Sequence, residues 1–280
     1  MDSYRNFTNY NNKKYNWENK EERAKKATDH TKVVAGFYPK EIRESIAGTR
    51  VFSPDTVFTP HREKYMPKVP EFTLRTQNTP EIIVNNLDSV SSILEFHPGK
   101  SCVLNFASYK EPGGMFLQGS RAQEECLCHE SFLYNVLQTQ TKYYEENKKH
   151  LNKALYQNRA LYTPNVVFFR GDDAVWCDVI TCAAPNFTTA KKYNNVTREE
   201  NSTVLESRIE FILEIAETMQ VDTLILGAFG SGVFGQDAEE VAEIFKRKLK
   251  ENHYGFRRVV FSIIQNGDGN YEKFVKVFEK

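Results

Sequence analysis

Five short apolar runs constrain this chain more than any other feature. They are Cys102-Val103-Leu104-Asn105-Phe106-Ala107, Val166-Val167-Phe168-Phe169, Val179-Ile180-Thr181-Cys182-Ala183, Thr223-Leu224-Ile225-Leu226 and Val259-Val260-Phe261-Ser262-Ile263-Ile264. Each is too short for an ordinary helix and too uniformly apolar for a strand with one wet face, so each predicts a strand buried on both sides. Helical periodicity appears between them. Leu205, Ile209, Ile212, Leu213, Ala216 and Met219 share one helix face, as do Val241, Ile244, Phe245 and Leu249. Strands alternating with helices imply an α/β fold whose largely parallel sheet is covered on both faces.

The N-terminal third has a different texture. Residues 1–15 are rich in Asn and Tyr without an apolar period, which predicts an unstructured arm. A charged helix is expected over 17–34, with Ala24, Ala27 and Val34 as its sparse apolar side. Five prolines between 39 and 70 predict irregular chain from Tyr38 to Pro70. Short strands are expected at 72–74 and 82–84, with a turn at 79–81. No repeat or low-complexity linker divides the chain. The expected organisation is an arm (1–15) and one unit (16–280), made of an N-terminal extension (16–100) and a core (101–280).

Charge narrows the function. The 280 residues carry 37 Lys+Arg and 37 Asp+Glu, a formal balance of zero. Gripping a nucleic-acid backbone along its length needs a basic stripe, so no such partner is expected, although a site for one or two phosphates remains compatible. No apolar run is long enough to span a bilayer. The first residues lack a signal-peptide layout, and the five cysteines are an odd number without framework spacing. These points predict reduced thiols, no membrane association and a cytoplasmic protein, or a nuclear one in a eukaryote. A monomer is expected.

Two glycine-rich loops carry the chemistry. In one, the run at 223–226 empties into Gly227-Ala228-Phe229-Gly230-Ser231-Gly232-Val233-Phe234-Gly235 and then into a helix opening at Asp237-Ala238-Glu239-Glu240, shaped like a capping box. Glycines let successive backbone N–H groups converge on an anion, and the helix N-terminus adds a positive dipole end. The alternative is a tight turn whose glycines serve packing. A nucleotide-hydrolase loop is excluded because no Gly-Lys-Ser/Thr follows. The strand lies too late in the chain, and lacks the acidic strand end, for a dinucleotide fingerprint.

In the other, the run at 102–107 leads through Pro112-Gly113-Gly114-Met115 to a helix starting near Ala122 with Gln123-Glu124-Glu125. Carboxylates at a helix N-terminus are stabilised by the dipole, so helix capping alone could account for them. If they act on substrate, their adjacency sets a limit. Helix neighbours point about 100° apart and cannot flank one bond as paired acid and base, so one would do chemistry while the other holds substrate. Cys126-Leu127-Cys128-His129 matches no zinc spacing, and neither metal nor cofactor is expected.

These residues resemble the microbial type of poly(ADP-ribose) glycohydrolase. The resemblance rests on the glycine block, the spacer and Gln123-Glu124-Glu125, supported by Val103–Ser108, Ser131–Tyr134, Tyr162–Arg170, Ala184-Pro185-Asn186, the loop 227–235 and the helix leading to Gly36-Phe37-Tyr38. It implies a macrodomain-like three-layer α/β/α fold with a mixed, largely parallel sheet and a cleft for ADP-ribose at the strand ends. It assigns Glu125 as general acid and then base, with Glu124 and Asn105 on ribose hydroxyls. Gly113, Gly114 and Gln123 belong to the same subsite. Gly227, Gly230, Ser231, Gly232 and Val233 would hold the diphosphate, and Phe234 would pack on the ribose.

The implied reaction is hydrolysis of ribose–ribose bonds of poly(ADP-ribose), releasing ADP-ribose from chain ends. The alternatives are a mono-ADP-ribosyl hydrolase acting on a modified protein or nucleobase, and a non-catalytic ADP-ribose reader. Met115 replaces the third glycine of the family pattern and favours the reader, whereas the intact Glu124-Glu125 pair opposes it.

Overall fold

The computed structural model describes residues 19–58, 79–252 and 254–279. Among them, seven strands form one sheet: β1 (Arg50–Phe52), β2 (Glu81–Asn85), β3 (Ser101–Phe106), β4 (Ala160–Arg170), β5 (Asp173–Cys182), β6 (Thr223–Leu226) and β7 (Arg258–Ser262). Their order across the sheet is β1-β4-β5-β3-β6-β7-β2. The pairs β5/β3, β3/β6, β6/β7 and β7/β2 are parallel, while β1/β4 and β4/β5 are antiparallel. The sheet is therefore mixed and largely parallel, as expected.

Strand alternation sorts the apolar runs onto two faces. Cys102, Leu104, Ile180, Leu224, Leu226, Val259 and Phe261 join one core. That core is closed by α8 (Arg198–Thr218), α9 (Ala238–Glu251) and α10 (Asn270–Phe278). Val103, Val179, Ile225 and Val260 point the other way into a second core. Covering it are α1 (Lys20–Phe37), α2 (Pro39–Gly48), α3 (Ser89–Phe96), α4 (Gln123–His129), α5 (Leu133–Leu137) and α6 (Thr141–Lys149). A further helix, α7 (Phe187–Asn194), follows β5. Both helix faces predicted from periodicity are buried, including Leu205, Ile209, Ile212, Val241 and Phe245.

The N-terminal third departs from expectation at several points. Residues 39–48 form a helix where irregular chain was expected, because Pro39 occupies the first helical turn, where its missing N–H costs nothing. β1 follows within the same stretch. The segment set apart as an extension supplies both edge strands of the sheet, β1 and β2. The strand expected at 82–84 is present as β2, whereas the arm at 1–15 and the strand at 72–74 lie outside the described residues.

Because β3, β5, β6 and β7 are parallel, their C-terminal ends share one edge of the sheet. The loops 107–122, 183–186, 227–237 and 263–269 leave that edge. Ligands of open α/β sheets bind outside such strand ends.

Candidate active site

The loop after β3 folds back so that α4 begins beside the end of that strand. Gln123 makes this connection. Its Nε2 donates to Leu104 O at 2.9 Å and to Ser89 Oγ at 3.1 Å, and its Oε1 accepts from Phe106 N at 2.9 Å. The sequence reading put Gln123 with substrate. Its amide is instead fully committed to protein groups, and it acts as a strut between α3, β3 and α4.

The next two residues are buried carboxylates. Glu124 Oε1 accepts from Asn105 Nδ2 at 3.2 Å, and its Oε2 accepts from Ser108 N at 2.7 Å. Asn105 also donates to Thr181 Oγ1 at 3.3 Å across the β3/β5 pair, while its buried Oδ1 has no hydrogen-bond partner among the described residues. Burial pushes the Glu124 carboxyl up to about 8, against hydrogen bonds from Ser108, Asn105 and Gly113, and the neighbouring Glu125 adds to the rise. Glu124 therefore carries a proton near neutral pH. Glu125 Oε1 accepts from Met115 N at 2.9 Å, and its Oε2 accepts from Ala122 N at 2.9 Å, the helix's own first orphan donor.

Gly114 lies against both carboxylates. A Cβ there would stand 2.7 Å from Glu125 Oε1 and 3.0 Å from Glu124 Oε2, and its φ is +60°. Only glycine fits. At Gly113 a Cβ would meet the Tyr134 ring at 2.7 Å. Met115 differs from both, with φ −108° and a side chain 50% exposed, so the backbone at this position does not require glycine. Behind the loop, Gly119 packs on α1, where Arg23 Nε donates to Gly119 O at 2.7 Å.

The loop after β6 is built differently. Gly227 sits at its base, where a Cβ would strike Ser262 O at 2.7 Å and the Phe106 ring at 3.0 Å, so this glycine serves packing. Gly230 has φ +76°, with Ala184 Cβ and Gln236 Cγ under 3 Å from a would-be Cβ. Ser231 N, Gly235 N and Gln236 N close the turn through Ala228 O, Gly232 O and Gly230 O. Among the described residues, the N–H groups of Gly230, Gly232, Val233 and Phe234 make no hydrogen bond, and Ser231 Oγ is buried without a partner. Val233 is 87% exposed, so it presents backbone rather than an apolar contact.

The helix dipole is not open to an anion here. Asp237 Oδ1 caps α9 by accepting from Glu239 N at 3.0 Å and also takes Lys273 Nζ at 2.9 Å. The predicted capping box does not form: Asp237 reaches the second helical amide, that of Glu239, and Glu240 turns away to Ser202. Phe234 packs instead with Tyr109, Tyr156 and Ala183, and the two tyrosines stack at 4.2 Å. This cluster bridges the two loops.

Sequence reasoning missed three residues that hold the rim. Gln236 Nε2 donates to Pro185 O at 2.7 Å and exchanges amide bonds with Asn201. Fully buried Arg208 donates to Ala183 O, to Asn158 Oδ1 at 2.7 Å and to Leu155 O at 3.4 Å. Only an unexplained arginine on the apolar face of α8 could have hinted at it.

Comparison with known proteins decides the family. The family model for the catalytic domain of microbial-type poly(ADP-ribose) glycohydrolase matches residues 4–171, which contain Asn105, Gly113, Gly114 and Gln123-Glu124-Glu125. The chain belongs to the microbial-type poly(ADP-ribose) glycohydrolase family. Among solved structures, poly(ADP-ribose) glycohydrolase from Thermomonospora curvata is 25% identical, with a TM-score of 0.78 over 92% of this chain and 100% of that one. The same enzyme bound to the inhibitor ADP-HPD is 26% identical, with a TM-score of 0.77 over 91% and 99%. The Deinococcus radiodurans glycohydrolase in complex with ADP-ribose is 29% identical, with a TM-score of 0.71 over 85% and 97%. No curated protein matches the chain. As a family member it is a glycosidase, and the macrodomain-like fold accords with these relatives. Among the described residues, no helix is long and apolar enough to cross a membrane.

Proposed function

We propose that this glycohydrolase cleaves the ribose–ribose bond that joins a terminal ADP-ribose to the rest of a poly(ADP-ribose) chain, with Glu125 as the proton donor. The observation that carries this reading is the buried carboxylate pair held against Gly114 at the end of β3. The solved relative with ADP-ribose bound supports the same ligand class for this cleft. The terminal diphosphate is received by the unpaired amides of the 230–234 loop, which need no lysine or arginine. Asn105 Oδ1 and the protonated Glu124 then face the ribose hydroxyls, one as acceptor and the other as donor.

In the reaction, the Glu125 proton passes to the oxygen leaving the anomeric carbon as the C–O bond breaks. The positive charge that develops on the ribose lies beside the diphosphate, which stabilises it. Water then adds to the same carbon and returns a proton to Glu125, leaving free ADP-ribose and a chain one unit shorter. Zero net charge supports this end-on engagement.

Glu125→Gln is expected to lower release of ADP-ribose from polymer by about 10³-fold, within the range of general acid–base catalysis. ADP-ribose affinity should stay nearly unchanged. Unaltered turnover in this variant would remove Glu125 from the mechanism.

A second reading exchanges the two roles, and the proton held by Glu124 near neutral pH favours it. Under that reading Glu124→Gln loses turnover with its ADP-ribose affinity intact. Under the first reading it weakens binding as well.

A further inference from the structure

An arc of chain joins the two glycine loops around one side of the site. It starts at 109–111, where Asn147 Nδ2 donates to Tyr109 O at 2.8 Å and Tyr109 OH donates to His150 O at 3.1 Å. These bonds seat the last turn of α6 on the loop that holds Gly113 and Gly114. The arc continues through Asn152, Lys153 and Ala154, all at positive φ, and Asn186 N donates to Ala154 O at 3.0 Å just before α7. It ends where Thr188 N donates to Phe234 O at 3.2 Å, on the diphosphate loop.

Six lysines line this arc: Lys110, Lys148, Lys149, Lys153, Lys191 and Lys192. Three are neutralised, with Lys148 on Glu111 at 2.9 Å, Lys149 on Glu146 at 2.6 Å and Lys153 near Glu200 at 4.0 Å. Lys110, Lys191 and Lys192 are exposed and have no carboxylate partner among the described residues. Lys192 Nζ stands 4.9 Å over the ring of Tyr193, which is itself 68% exposed. The helix that carries these last residues is eight residues long, so it reaches about 12 Å away from the diphosphate loop. In a chain of zero net charge, cations have thus collected on the rim between the site's two loops.

We infer that this arc is a docking rail for the stretch of poly(ADP-ribose) that continues outward from the bound terminal unit. The inference rests on the glycohydrolase reading and adds to it a second contact region outside the cleft. Free lysines match the repeating diphosphates, and an exposed ring beside them offers a stacking surface for a base. This combination suits a flexible single-stranded polyanion. The rail holds the polymer while its end is trimmed, and it makes no contact with the bond being cut.

The test is the triple substitution K110E/K191E/K192E, none of whose positions lies in the catalytic or diphosphate machinery. Two substrates are compared, long polymer and a two-unit chain, which carries only one diphosphate beyond the bound terminal unit. The expected result is a fall of about tenfold in kcat/KM on long polymer at low salt, with a clearly smaller fall on the two-unit chain and ADP-ribose affinity unchanged. The slope of log kcat/KM against log salt on long polymer should flatten by about 2, for three lost phosphate contacts. Equal turnover of long polymer by both proteins, or equal losses on both substrates, would overturn the rail. Polymer affinity is measured separately with and without the triple change in a Glu125→Gln protein, which does not depend on turnover. A wild-type protein that releases nothing from either substrate would refute the glycohydrolase reading, and this affinity comparison would still decide the rail.

Discussion

The two glycine loops leave neighbouring parallel strands, β3 and β6, yet they solve opposite problems. The first is clamped from every side, by Gln123 to the strand, by Arg23 to α1 and by Glu125 to the Met115 amide, so that two carboxylates stay buried in fixed geometry. The second leaves the amides of Gly230, Gly232, Val233 and Phe234 unpaired among the described residues and exposes Val233. Proton transfer needs atoms placed to a fraction of an ångström. Holding a diphosphate needs converging donors and tolerates a wetter setting. A substitution in the first loop should therefore act on kcat, and one in the second on KM.

Gly114→Ala tests the first half most severely. Its Cβ would displace both carboxylates from positions set by Asn105, Ser108, Met115 and Ala122. A shift of about 1 Å costs about 10²-fold in rate. We expect that loss in kcat, with ADP-ribose affinity changed by less than a few-fold. A purely KM effect would erase the distinction between the loops.

Gly230→Ala probes the second half. The new Cβ would press on Ala184 and Gln236 and force a left-handed residue away from its conformation, turning the amides off their target. About a tenfold rise in KM with kcat nearly preserved is the expected outcome of steady-state kinetics on polymer. Loss of kcat alone would assign this loop a chemical role.

Much of this contrast is legible in the chain itself, but unevenly. The five apolar runs identify the strands because burial on both faces leaves few polar positions, and Gly113, Gly114, Gly230 and Gly235 mark the two loops because their positive φ disfavours other residues. Residues 39–48 are misread because a proline at the start of a helix looks the same, in sequence, as a proline that breaks one. Gln123 reads as a ligand group because only the folded chain brings Ser89, Leu104 and Phe106 within reach of its amide. The Gln236–Asn201 exchange spans 35 residues and leaves no local pattern at all. Side-chain commitments made across the fold are what a linear reading lacks.

The buried pair also sets a pH signature for stability. Glu124 has its folded carboxyl raised to about 8 from 4.5, so the folded state holds the extra proton between those values. Its contribution is complete below pH 4.5 and is lost as pH rises through 8. His30 and His129 act in the opposite sense. Burial lowers them to about 4 and about 3, so their contribution is present above 6.5 and lost as pH falls through those values. Thermal stability should therefore peak near pH 6.5. Between pH 6.5 and 8, Tm should drop by about 5 °C, from about 2 kcal/mol of linkage. Glu124→Gln should flatten that limb and steepen the acid limb, because between pH 4.5 and 6.5 Glu124 opposes the histidines. An unchanged alkaline decline in the variant would assign it to another group.

The smallest effect is expected at Met115, the one place where the clamped loop departs from the family's glycine pattern. Three features make a glycine dispensable there: a negative φ, a half-exposed side chain, and an amide that already serves Glu125. Met115→Gly should leave kcat/KM on polymer within about threefold of the parent. The variant should lose about 0.4–1 kcal/mol of stability, because glycine frees the unfolded chain. Its Tm then falls by about 2–4 °C at most. A tenfold gain in kcat/KM would instead mean that the methionine side chain obstructs the ribose. In that case the first loop, like the second, would be limited by access to the cleft rather than by the placing of its carboxylates.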